Sequence, residues 1–149
     1  MQLYKNLYDY NGKLIIFDDS ANMFNADYKV SFWKNALEKN LRYRVLGSRE
    51  RLPEKLAALC DELEEKTAEN TGGTVAFALN YGGQQEIVDA VNAAIANGEP
   101  VTRETFETYL DTGDLLPVDL MVRTSNESRI SNYLLWKLAY AELLFVPEH

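Results

Sequence analysis

A single cysteine, Cys60, occurs in the chain, so no internal disulfide can form. Such usage suits a reducing compartment, and packing on a helix face is the role expected of Cys60. No apolar run approaches the length of a membrane span. The opening Met1-Gln-Leu-Tyr-Lys-Asn6 is not a signal peptide, because no apolar core follows its basic residue. A cytoplasmic protein is expected. Basic residues are scarce: 15 Lys and Arg stand against 23 Asp and Glu, and the net charge of −8 disfavours nonspecific nucleic-acid binding. Histidine occurs once, at His149, where a terminal residue is expected rather than a ligand or base. No repeated or compositionally biased segment argues for disorder.

What is present suits a globular protein. A chain of 149 residues with 46% hydrophobic residues can bury a sizeable core, and no linker divides it, so a single domain over 1–149 is expected. Strand and helix patterns alternate along it. Leu14 to Phe17 is a short apolar run ended by Asp18 and Asp19. Tyr28 to Lys39 suits a short helix, and Arg42 to Leu46 alternates charged and apolar residues as a strand does. Leu52 to Asn70 is the clearest helix, with Pro53 in its first turn and Leu56, Leu59, Cys60, Leu63 and Thr67 at helical spacing. Thr74 to Leu79 suits a central strand. The next helix has Ile87, Val88, Val91, Ala94 and Ile95 on one face and is closed by Gly98. Thr102 to Leu110 reads as a short helix, and Asp119 to Val122 and Leu143 to Val146 as strands. Strands separated by helices predict an α/β fold, a mostly parallel sheet flanked by helices on both faces.

The most informative stretch is Arg123-Thr-Ser-Asn-Glu-Ser-Arg-Ile-Ser-Asn132. It follows the strand pattern ending at Val122 and precedes the amphipathic, helix-like run Tyr133 to Glu142. Ligands of open α/β sheets bind beyond the carboxyl ends of strands. Arginine forks match phosphate oxygens in pairs, and a helix N-terminus adds N–H groups. Arg123, Arg129 and Ser131 are therefore candidate anion ligands. The plain alternatives are surface arginines paired with Glu127 and an N-cap role for Ser131. Asn80 and Gly82 close the preceding strand pattern, where glycine also lets backbone approach a ligand. Trp136 suits core or interface.

This pattern resembles the cis-prenyltransferase family, the undecaprenyl diphosphate synthases and their relatives. Their signature reads Arg-Thr-(Gly/Ser)-Gly-Glu-x-Arg-x-Ser-Asn, followed by Leu-Leu-Trp and Ala-Tyr-x-Glu-Leu. Upstream, Arg42-Tyr-Arg-Val-Leu-Gly47, then Arg49 and Arg51-Leu-Pro53, Asn70-Thr-Gly72, Ala78-Leu-Asn-Tyr-Gly-Gly83 and Glu86-Ile-Val-Asp-Ala90 match in order, so the resemblance covers 40–146. Asn126 departs from it, standing where the family usually has glycine.

The resemblance implies that Arg123, Arg129 and Ser131 hold the diphosphate of isopentenyl diphosphate; Asn80 and Gly82 are further substrate-binding candidates unless they merely terminate a strand. The resemblance also implies a dimer formed through Asn132 to Glu142, where part of the apolar surface of Tyr133, Leu134, Leu135, Trp136 and Leu138 is expected to meet a second chain. It implies Mg²⁺ held with help from Glu142 across that dimer, an allylic diphosphate as second substrate, and peripheral membrane association through a lipid product. The family's catalytic Asp-Gly-Asn-Gly-Arg-Trp loop does not occur here. Asp18, ending Leu14 to Phe17, is the one candidate for its aspartate. The preferred alignment instead matches Phe17-Asp-Asp-Ser-Ala-Asn22 to the family's second strand and expects the catalytic loop upstream of Met1. Three functions stay open: an enzyme fragment inactive alone, a noncatalytic subunit that lends Arg123, Arg129 and Glu142 to a partner, or a structural anion-binding domain; a homodimer or a heterodimer with a catalytic chain is expected.

Overall fold

The structure is a computed structural model that describes residues 14–15, 39–50, 52–98, 100–124 and 126–147. Asp18 and nearly all of the helix expected from Tyr28 lie outside the described residues. The fold is α/β with parallel strands. Two units are distinguished along the chain, Met1–Asn80 and Tyr81–His149.

In the first unit, β1 (Leu14–Ile15), β2 (Leu41–Leu46) and β3 (Gly73–Ala78) form a parallel sheet in the order β1-β3-β2. β3 is central, as its β-branched and apolar run predicts: Thr74, Val75, Ala76 and Phe77 are all buried. Helix α1 (Glu54–Thr67) buries Cys60, Leu63 and Thr67 at the expected spacing. Cys60 and Leu63 meet Tyr43, Val45, Val75, Phe77 and Leu79 in one apolar cluster. The rings of Tyr43 and Phe77 stack with centroids 5.9 Å apart.

β2 has only β3 as a described strand neighbour, so the N–H groups on its other side need partners other than a described strand. Side chains of α1 take them up. The Thr67 hydroxyl accepts from Tyr43 N at 2.9 Å, and Glu64 Oε1 accepts from Val45 N at 2.9 Å. The same carboxylate holds Arg44 at 2.8 Å and Arg49 at 2.7 Å. Arg44 and Arg49, parts of an upstream motif, therefore join strand to helix.

In the second unit, β4 (Leu120–Arg123) and β5 (Glu142–Phe145) pair in parallel. Helix α2 (Gly83–Asn97) ends at left-handed Gly98, as expected. Its buried face matches the expected stripe only at Ala94 and at Ile87, which packs against the Ala90 cluster. Gly83, Glu86, Ala90 and Ala94 are buried, whereas Val88 and Val91 are exposed and Ile95 is 71% exposed. Small residues let α2 pack closely, with Ala90 against Phe106 and Leu110. The buried acid is satisfied in place: Glu86 Oε2 accepts from the Tyr81 hydroxyl at 2.6 Å and Oε1 from Thr112 N at 2.9 Å.

Helix α3 (Arg103–Glu107) starts at a Thr102–Thr105 capping box but is shorter than expected. Thr108, Tyr109 and Leu110 bond back three residues, which tightens the chain into turns. The run Tyr133 to Glu142 differs more. It forms successive turns, because Ser131, Asn132 and Leu134 have φ of 47°, 62° and 39° and only Leu138 N reaches back four residues, to Leu134. Inside this turn Lys137 is 4% exposed; its Nζ donates to the Leu115 carbonyl at 2.9 Å and its own carbonyl accepts from Val118 N. Trp136 Nε1 donates to Glu107 Oε1 at 2.9 Å, and its ring centroid lies 5.0 Å from that of Phe106, which is the expected core role.

Tyr81 and Tyr133 pack edge to face in this unit. Burial first, then the Glu86 carboxylate, holds the Tyr81 phenol well above its ordinary range. Burial first, then Tyr81, does the same for Tyr133. Folded-state values above the unfolded ones mean stability that is fully present below about pH 10 and lost as pH climbs beyond it. Two of the nine tyrosines should therefore ionise only with unfolding. Tyrosinate absorbance and circular dichroism followed against pH check this. Full ionisation with an intact fold would disprove it.

Candidate functional site

The site grows from the end of β4. Arg123 is the last residue of that strand and pairs with Phe145. Val146 N donates to the Arg123 carbonyl at 2.9 Å, and Asn126 N to the Val146 carbonyl at 3.4 Å, so the loop leaves the two strands at a fixed place. The half-buried Arg123 side chain then closes the loop on itself. Its Nη1 donates to the Arg129 carbonyl and, at 2.8 Å, to the Ser131 hydroxyl. The rest of that guanidinium has donors to offer a ligand.

Arg129 is the exposed partner. Its Nη1 lies 2.8 Å from Glu127 Oε2, with its side chain 70% exposed. A surface pair of this kind is worth about 0–1 kcal/mol, so an incoming anion can displace it cheaply. The sequence allowed that both arginines pair with Glu127; Arg129 does so, whereas Arg123 turns to the Arg129 carbonyl and the Ser131 hydroxyl. Ser131 caps no helix, because no helix follows it.

The backbone of the loop is unusual. Asn126, Ser131 and Asn132 all have positive φ, at 53°, 47° and 62°. This accounts for the departure at Asn126. A left-handed position favours glycine, and asparagine is among the side chains that tolerate it best.

The other candidates fall into three places. Gly82 precedes α2 with extended backbone, and a Cβ there would lie 2.8 Å from Asn132 Nδ2. The open side of Gly82 thus receives Asn132, the neighbour of Ser131, and Gly82 and Arg123 meet the same 131–132 turn. Asn80 belongs to the first unit, with φ of 49° and its Nδ2 donating to the Ser48 carbonyl at 3.0 Å. It ties the end of β3 to the turn after β2, where Gly47 has φ of 102° and a Cβ would meet the Leu79 carbonyl at 2.3 Å. Glu142 is exposed at the start of β5 opposite Leu120, the far end of β4 from Arg123. Among the described residues no group of three His, Cys, Asp or Glu is placed to hold a metal.

Sequence reasoning quoted Asn132 and Glu86 within motifs without giving them roles, and it missed Lys137. The asparagine after a serine of the signature carried a weak signal. A buried glutamate in a helix, and a buried lysine inside a turn, carry none until the partners are known.

Residues 18–149 match the prenyltransferase family model for undecaprenyl diphosphate synthases. An isoprenyl transferase of Neisseria meningitidis serogroup A is 47% identical over 109 residues, which are 72% of this chain and 44% of that protein. A ditrans,polycis-undecaprenyl-diphosphate synthase ((2E,6E)-farnesyl-diphosphate specific) of Vibrio cholerae serotype O1 is 43% identical over 121 residues, 76% of this chain and 48% of that protein. The chain spans about half the length of these curated relatives. A solved structure described as a probable undecaprenyl diphosphate synthase from Campylobacter jejuni superposes with a TM-score of 0.82 at 29% identity, covering 99% of this chain and 76% of that one. Lavandulyl diphosphate synthase from Lavandula x intermedia, solved in complex with dimethylallyl diphosphate, gives 0.77 at 29% identity, covering 91% and 67%. With sequence motifs, fold and relatives in agreement, the chain belongs to the undecaprenyl diphosphate synthase family of prenyltransferases.

Proposed function

We propose that the loop from Arg123 to Ser131 receives the diphosphate of isopentenyl diphosphate in a cis-prenyl transfer. The observation that carries this reading is Arg123 Nη1, held by the Arg129 carbonyl and the Ser131 hydroxyl. An arginine fixed by its own loop is organised before the ligand arrives, so little rotamer entropy remains to be lost. Arg129 adds a second guanidinium on an exposed side chain, and Ser131 a hydroxyl. Together they neutralise and orient one diphosphate, which leaves the alkene end free to meet an allylic partner.

Mg²⁺ fits as a cofactor through Glu142. Such cations take one or two carboxylates together with phosphate oxygens. The Glu142 carboxylate is exposed, but it sits three residues along the β4–β5 ladder from Arg123, about 10 Å at strand spacing. That offset favours a carboxylate given to the loop of a second copy or of a catalytic chain. When bound, Mg²⁺ supplies charge neutralisation at the diphosphate.

The sequence expected apolar residues of 133–138 to meet a second chain, yet Leu134 and Leu138 are buried and Leu135 and Trp136 half-buried. Exposed apolar side chains gather instead on β4 and β5, at Leu120, Val122, Leu143, Leu144 and Phe145, beside Tyr140 at 92% exposure. A homodimer or a heterodimer with a catalytic chain is proposed through these strands. No helix among the described residues is long and apolar enough to cross a membrane. A cytoplasmic site of action with peripheral membrane contact through a lipid product fits the reading.

Calorimetric titration with isopentenyl diphosphate and Mg²⁺ tests the assignment. Arg129→Ala removes a charge-assisted hydrogen bond and is expected to weaken binding by about 10- to 150-fold. Equal affinity in both proteins would sink it.

A second reading, a subunit that lends its site to a chain carrying Asp-Gly-Asn-Gly-Arg-Trp, is favoured by the offset of Glu142 from Arg123 along the β4–β5 ladder. The purified chain is then expected not to incorporate labelled isopentenyl diphosphate with farnesyl diphosphate, and to support incorporation once a chain carrying that motif is added. Turnover by the purified chain, abolished by Asp18→Ala, would make Asp18 the catalytic acid and overturn this second reading.

A further inference from the structure

We propose that Asn132 is the positioning residue of the diphosphate loop, acting by capping α2 from outside that helix; this rests on the reading of Arg123 to Ser131 as the diphosphate site. Helix α2 opens at Gly83 after Gly82, and glycine has no side chain to take up the first N–H groups. Asn132 serves both. Its carbonyl accepts from Gly83 N at 2.7 Å, and its Oδ1 accepts from Gln84 N at 2.8 Å. The preceding residue, Ser131, takes Arg123. No residue intervenes between the helix anchor and the loop's hydroxyl.

The anchor has something to hold. Ser131 and Asn132 are both left-handed, with φ of 47° and 62°. Consecutive residues keep that conformation only where their surroundings over-determine it. The glycine pair admits the anchor: a Cβ on Gly82 would lie 2.8 Å from Asn132 Nδ2, and one on Gly83 would lie 3.1 Å from the Asn132 carbonyl. The first two N–H groups of α2 are thus spent on protein. The helix serves the anion indirectly, by fixing Ser131 and through it Arg123.

The test uses the whole chain, with Asn132→Gly and Asn132→Asp. Glycine keeps the left-handed backbone and loses Oδ1. Aspartate keeps an acceptor at the positive end of α2. Amide hydrogen exchange is read in the ligand-free protein, binding is read with inorganic pyrophosphate and Mg²⁺, and melting is recorded for each variant. In Asn132→Gly, exchange at Gln84 and over 129–133 is expected to quicken about tenfold, with the interior of α2 and the melting midpoint near wild type. Its pyrophosphate binding should weaken about tenfold, since misplacement of a binding group is costly. Asn132→Asp should exchange as wild type does.

Unchanged exchange over 129–133 in Asn132→Gly would overturn the proposal, and so would quickened exchange through all of α2, the mark of a general structural role. Pyrophosphate binding by Asn132→Gly equal to wild type would overturn it while leaving the diphosphate reading intact. Wild type that exchanges as described but binds neither pyrophosphate nor isopentenyl diphosphate would overturn both.

Discussion

Arg123→Ala is expected to weaken binding of isopentenyl diphosphate by about 100-fold or more, the loss of two charge-assisted hydrogen bonds or their equivalent. The effect should exceed that of Arg129→Ala because Arg123 has two duties. Its Nη1 closes the loop on the Arg129 carbonyl and the Ser131 hydroxyl, and the rest of its fork remains for the ligand. Arg123→Lys keeps the charge but has no planar fork, so it should recover only part of the loss. A double-mutant cycle with Ser131→Ala separates the duties. Coupling of about 0.5–3 kcal/mol is expected between residues in one hydrogen-bond network. Strict additivity in the titrations would show that Ser131 does not orient Arg123.

Phe77→Ala should be the most destabilising single truncation, at about 3–5 kcal/mol. Phe77 is 1% exposed on the central strand β3 and stacks on Tyr43. A chain of this size loses about 2–4 °C of melting temperature per kcal/mol, so a drop of about 6–20 °C is expected in a thermal melt. Ile95→Ser, an apolar-to-polar change on a helix, should stay within about 0.5 kcal/mol because Ile95 is exposed. Reversed magnitudes would mean that the face of α2 seen here is not the one the protein buries.

Ile95 also shows where the sequence misleads. Apolar spacing placed α2 correctly and ended it at Gly98, because periodicity and a left-handed cap are local properties. Which stripe is buried is not local. Small residues and a partnered glutamate won the interior over valine and isoleucine, since Ala90 lets Phe106 and Leu110 approach and Glu86 finds Tyr81 and Thr112. The helix expected from Tyr133 failed for a related reason. Residues with good helical patterning follow two left-handed residues held by α2.

The site was legible to a similar depth. Arg123, Arg129 and Ser131 stand in one loop as the motif implied, and glycine at 82 does admit a close approach. What approaches it is Asn132, and the loop leaves the end of β4 as expected but leads into turns rather than a helix. Composition names the donors. Only coordinates show which of them the protein has already used.

The closed side of β2 has a consequence for how this protein can associate. Thr67 and Glu64 occupy the N–H groups of Tyr43 and Val45. An intruding β-strand would have to displace a helix hydroxyl and a carboxylate that also grips two arginines. Strand-by-strand growth into fibrils, or exchange of a strand between copies, is obstructed at this border. A designer wishing to graft a peptide onto the sheet by strand addition should leave this border alone. One who wishes to invite such exchange would begin by removing the two side chains that fasten it.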